Sequence, residues 1–160
     1  MNRAPLKKLV RSAAVAAAYV VLSFISPSIG ALQCRVSEAL CVLPFLLPEA
    51  VPGLFVGCLL SNMLLGAALP DVIFGSLTTL LAGLITCYAG KKKWPPFLAP
   101  LPPVLLNAAI VGFLVWKLYE PALSLPVVML QVGGGEAISC YVLGLPLLYA
   151  VQKRRKLLEQ

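Results

Sequence analysis

The chain has 160 residues, of which 60% are hydrophobic and 12% charged, against roughly 25% charged in a typical soluble domain. With a mean hydropathy of +0.93, it has too few polar residues to cover a water-facing surface, so lipid must solvate much of its exterior. The formal charge is +7 and there is no histidine, which removes the commonest general base and transition-metal ligand.

Eleven of the 13 basic residues fall in three clusters: Arg3, Lys7, Lys8 and Arg11; Lys91, Lys92 and Lys93; and Lys153, Arg154, Arg155 and Lys156. They flank apolar runs and are not interleaved with aromatics on a polar face, so a nucleic-acid partner is not expected. Cys34, Cys41, Cys58, Cys87 and Cys140 form no CxxC pair and lie mostly within apolar runs. They read as small buried hydrophobes, and neither a metal nor a cofactor is expected.

In chain order, a crossing helix needs about 20 apolar residues at about 1.5 Å each. Residues 9–29 satisfy this, closed by Pro27 and Gly30; with no cleavage site, the run reads as a retained first helix and not a signal peptide. Residues 36–47 are apolar but short, and Pro48, Glu49 and Pro52 then break the chain. Further runs cover residues 53–69, 71–90, 96–119 and 125–151, the last containing Gly133, Gly134 and Gly135. The expected fold is a single all-α membrane domain over residues 1–160, with six transmembrane helices and a short second span that is tilted or partly re-entrant. With the N-terminus in the cytoplasm, six crossings put all three basic clusters inside and only Arg35 and Lys117 outside, as the positive-inside bias requires. No GxxxxGK[ST] loop is present, so active transport would need a partner or an ion gradient.

An ionisable group in the apolar layer is costly and usually faces a partner or a polar cavity. In this topology Arg35, Glu38, Asp71 and Glu136 reach one outward-facing region, with Asn62 deep in the third span and Asn107 near the middle of the fifth. Glu136 lies about 15 residues before the end of its span, roughly 22 Å if helical. It follows three glycines that permit close backbone approach or unwinding. For each residue a plainer reading stays open. Glu136 pairs with Arg35 as a lock; Arg35 and Glu38 form a salt bridge with Ser37 as N-cap; Asp71 is a helix N-terminal acid; Glu49 is a turn charge. On the first helix Ala13 and Ala17, and Ala14 and Ala18, form a small-residue strip, suited to internal packing or to docking another membrane protein.

"RVSEAL" after the first span, "PGLFVGCLLSN" in the third, "DVIFGSLTTLLAG" in the fourth and "GGGEAIS" in the sixth resemble the QueT family. That family comprises substrate-binding membrane subunits (S components) of energy-coupling factor (ECF) transporters. The resemblance covers about residues 13–151. It implies a six-helix, non-enzymatic protein of the prokaryotic plasma membrane that binds a micronutrient near the outer face. Docking would run through the strip of Ala13, Ala14, Ala17 and Ala18 onto a shared transmembrane coupling subunit driven by two cytoplasmic ATPases, with toppling of the subunit in the bilayer. The implied substrate is a queuosine precursor, a 7-deazaguanine base. One carboxylate can accept its amide N–H and exocyclic amine as a bidentate pair. Glu136 is expected first in that role and Glu38 second, with Arg35 positioning, Asn107 or Asn62 reading other edges, and Asp71 meeting a cationic substituent. An S component for another vitamin, a standalone secondary transporter, an intramembrane enzyme and a purely structural membrane protein are the competing readings.

Overall fold

The computed structural model describes residues 3–26, 28–29 and 32–158; Pro27 and Gly30, expected to close the first span, lie outside the described residues. Helix α1 (Arg3–Ile25) is followed by strands β1 (Ser28–Ile29) and β2 (Leu32–Gln33), which pair antiparallel with Ser28 opposite Gln33. A 3₁₀ helix (Val36–Phe45) leads to α2 (Ala50–Leu64) and α3 (Leu69–Lys91). A short 3₁₀ turn (Pro96–Leu98), α4 (Leu101–Leu106), a π-helical segment (Asn107–Val111) and α5 (Gly112–Leu118) form the next rod. Helix α6 (Leu125–Ala137), a second π segment (Ile138–Gly144) and α7 (Leu145–Leu158) form the last. The chain is thus helical as expected, apart from the two-residue ladder, which no sequence feature announced.

Among the described residues four helices are long and apolar enough to cross a membrane: Pro5–Ile25, Leu69–Lys91, Pro96–Leu118 and Leu125–Arg154. The second and third expected spans are shorter. Helix α2 has 15 residues, about 22 Å; it begins ahead of Pro52 because a first-turn proline lacks only an N–H that has no helical partner anyway. The second span is buried through its middle. Residues 37–44 are buried on every side, so this element is the spine of the bundle, packed between α1, α3 and the second π segment. Ten residues of 3₁₀ helix rise about 20 Å, where an α-helix would rise about 15 Å, so the tighter winding lengthens a short run. It also eclipses side chains three apart, stacking Glu38 over Cys41, whose thiol donates to Glu38 Oε2 at 3.0 Å.

Helix α1 meets α2 through Gly53 and Gly57, four residues apart. A Cβ on Gly53 would lie 2.4 Å from the Ser12 carbonyl oxygen, and one on Gly57 would lie 2.8 Å from Tyr19 Cβ. The contact face of α1 is therefore Ser12, Val15, Ala16 and Tyr19. Ala13, Ala14, Ala17 and Ala18 are all exposed, so internal packing does not use the strip. Large exposed side chains such as Leu69 (71%) and Leu130 (76%) belong in lipid, where their exposure carries no penalty.

Candidate functional site

The buried polar residues assemble where the spine, α2, α3 and the two π-containing rods meet. Arg35 is the residue ahead of the 3₁₀ helix, and its guanidinium donates to Asn62 Oδ1 at 2.8 Å. Asn62 in turn donates from Nδ2 to Cys58 Sγ at 3.6 Å. Glu38, 5% exposed, accepts a short hydrogen bond from the Tyr19 hydroxyl in addition to the Cys41 thiol. Glu136, 4% exposed, accepts from Cys140 Sγ at 3.3 Å, and the same sulfur lies 3.3 Å from the Glu38 carbonyl oxygen. Asn107 donates to the Pro103 carbonyl at 3.0 Å, which commits one of its two amide N–H groups and leaves its amide oxygen as an acceptor. Asp71 accepts from Tyr119 OH at 3.4 Å.

These contacts decide several open readings. Among the described residues Arg35 pairs with neither Glu38 nor Glu136, so the lock and the helix-corner salt bridge are both absent. Ser37 is not an N-cap. Arg35 holds that position without a side-chain cap, and Ser37 Oγ is buried with no hydrogen-bond partner. The Val36 N–H is satisfied by Ser26 Oγ at 2.8 Å instead. Asp71 does lie in the first turn of α3. The three glycines do not unwind α6, which runs through them to Ala137; the irregular segment is the π helix just beyond. Gly133 serves close approach, since a Cβ there would sit 2.9 Å from Ala108 Cβ. π segments are frequent at functional sites, and here they adjoin Asn107 and Glu136.

Arg35, Glu38, Asn62, Asp71, Asn107 and Glu136 all line one cavity of about 30 Å³. The sequence reading did not single out Cys58, Gly75, Thr79, Val111 or Val132, which complete its wall. Asp71, Gly75 and Thr79 are spaced four apart and share a face of α3; so do Cys58 and Asn62 on α2, Asn107 and Val111, and Val132 and Glu136. That spacing was the available signal. Tyr19 carried none, being one aromatic in an apolar helix.

The cavity has room for about one or two waters, far less than a bicyclic base needs. A second recess of about 280 Å³ adjoins it, lined by Ser23, Ser26, Leu65, Ala67 and Tyr119 together with Arg35 and Asp71. Arg35 and Asp71 are thus common to a wider vestibule and a smaller polar chamber. Three carboxyl groups, two amides and one guanidinium line the chamber, an acceptor-rich set that suits a donor-rich guest. The vestibule lies at the C-terminal ends of α1 and α2 and the N-terminal end of α3. At the opposite end, Lys8 and Arg11, Lys91, and Arg154 line a common recess, so all three basic clusters converge there.

A family model described as QueT transporter matches residues 9–153. No curated protein and no solved structure matches the chain.

Proposed function

Because the chain belongs to the QueT transporter family, we propose that it is the substrate-binding S component of an ECF-type importer, taking a 7-deazaguanine queuosine precursor from the outer face of a prokaryotic plasma membrane. The observation that carries the proposal is the convergence of Arg35, Glu38, Asn62, Asp71, Asn107 and Glu136 on one enclosed chamber inside an otherwise apolar bundle. A base with adjacent N–H donors is matched by Glu136 or Glu38 as a bidentate acceptor. Asn107 retains an acceptor oxygen for a further donor, Asp71 faces a cationic substituent, and Arg35 positions. Entry runs through the vestibule, past Arg35 and Asp71, and widens the chamber.

In this reading all six rods cross the bilayer, the buried 3₁₀ helix among them, with both termini in the cytoplasm. The gathering of Lys8, Arg11, Lys91 and Arg154 at the end opposite the vestibule supports that orientation. The exposed strip of Ala13, Ala14, Ala17 and Ala18 is the docking face for the coupling subunit, which two cytoplasmic ATPases drive. Its flatness admits close helix approach, and α1 also carries Tyr19, the donor to Glu38, so the docking helix is bonded to a residue of the chamber wall.

Uptake of radiolabelled base into proteoliposomes tests this reading. The expected result is uptake only with the coupling subunit and ATPases present. Ala14→Leu with Ala18→Leu abolishes uptake while leaving base binding within about twofold, since neither side chain touches the chamber. Uptake by the chain alone would make it a standalone secondary transporter and overturn the coupled reading.

A further inference from the structure

The basic end of the bundle holds the largest recess described, about 850 Å³. We propose that it is a binding site for the phosphate headgroup of an anionic phospholipid. Its cations come from three separate crossing helices: Lys8 and Arg11 from α1, Lys91 from α3 and Arg154 from α7. Lys91 is the last residue of its crossing segment, Arg154 lies in the closing turns of α7, and Lys8 and Arg11 lie in the opening turns of α1. All four therefore sit at the depth where hydrocarbon gives way to headgroups.

The charge balance favours an anion. The one acid lining the recess is Glu49, and Arg11 Nη1 donates to its Oε1 at 2.8 Å. Burial pushes the Glu49 carboxyl up, but the Arg11 hydrogen bond and the charges of Arg11 and Lys8 outweigh it, and the group is held below the usual carboxylate range. Glu49 is accordingly ionised at neutral pH and cancels one charge, leaving a surplus of three. Lys92 does not contribute, standing over the Tyr88 ring at 5.6 Å.

The shape distinguishes a lipid from a free phosphate or nucleotide. Beneath the cations the wall is Phe45, Leu46, Leu47 and Val151, which offers an apolar bed to the glycerol and first acyl carbons. Basic pockets between membrane helices bind anionic headgroups in this way. At the outward-facing end Arg35 is already bonded to Asn62 and Lys117 stands over the Phe113 ring at 6.0 Å.

The test is native mass spectrometry and thermal melting of the full chain in neutral detergent with added phosphatidylglycerol, phosphatidylcholine of the same chains, or inorganic phosphate. The expected result is retention of phosphatidylglycerol and a rise in Tm that neither of the others gives. Each removed cation should weaken the lipid by on the order of fivefold. The triple change Lys8→Gln, Lys91→Gln and Arg154→Gln then weakens it by about a hundredfold. Glu49→Gln, which frees Arg11, should strengthen phosphatidylglycerol binding, a gain that misfolding cannot mimic. Equal effects of phosphatidylcholine, no effect of any lipid, or loss of binding in Glu49→Gln would overturn the proposal. Stabilisation by inorganic phosphate alone would replace it with a free-phosphate site.

Discussion

Glu136→Gln lowers affinity for a 7-deazaguanine base by roughly 10- to 150-fold, the equivalent of one charge-assisted hydrogen bond. The substitution keeps the volume of a side chain that is 4% exposed, so packing in α6 is preserved. It replaces one acceptor oxygen with an amine, which then meets a donor on the base. The Cys140 thiol also loses the carboxylate it reaches at 3.3 Å, a weak bond whose loss is small beside the ligand effect. Glu38→Gln falls in the same range and in addition disturbs the donors Tyr19 and Cys41. Tyr19→Phe removes one of those donors and costs several-fold, in keeping with a net hydrogen bond of about 0.5–1.5 kcal/mol. Titration calorimetry on each purified variant reads the series. If both glutamine variants bind base with unchanged affinity, neither carboxylate recognises it and the assignment fails.

Gly90→Ala is expected to produce the largest loss of stability from the smallest change in the molecule. A Cβ at Gly90 would lie 1.9 Å from the Phe45 carbonyl oxygen, 2.7 Å from its carbon and 2.9 Å from its Cα. All three are backbone atoms, so no side-chain rotation relieves the overlap. The end of α3 must part from the end of the buried 3₁₀ helix. Overpacking of this kind costs about 1–3 kcal/mol and sometimes more. Gly134→Ala is the control, because a Cβ there meets nothing within 4 Å and alanine is favoured in a helix by up to about 1 kcal/mol. Melting in detergent should separate the two, with Gly90→Ala well below the parent and Gly134→Ala level with it or above. Equal melting temperatures would mean that the spine does not pack against α3 as described.

The bundle was legible because each long rod is an uninterrupted apolar run punctuated by proline, glycine or lysine. The chamber was legible for a related reason: in a chain this poor in charge, Arg35, Glu38, Asp71 and Glu136 could not be scattered without cost, so their meeting followed from the expense of burying each alone. Other features left no comparable mark. Residues 39–45 are apolar throughout, so no amphipathic pattern distinguishes a period of 3.0 from 3.6, and the 3₁₀ winding was invisible. Arg35 and Glu38 were three apart as expected, yet their partners, Asn62 and Tyr19, lie 27 and 19 residues away, a separation that local spacing does not reveal. The π segments over residues 107–111 and 138–144 carry no local sequence cue either.

Equilibrium binding of a radiolabelled 7-deazaguanine base to the purified chain in detergent, without ATP or partner subunits and with riboflavin, thiamine and biotin as competitors, tests the central claim most directly. Saturable binding of one base per chain that none of the vitamins displaces is the predicted result. Displacement by a vitamin would keep the chamber and discard the base. Absence of binding to every one of them would contradict the assignment of Arg35, Glu38, Asn62, Asp71, Asn107 and Glu136 to a substrate site.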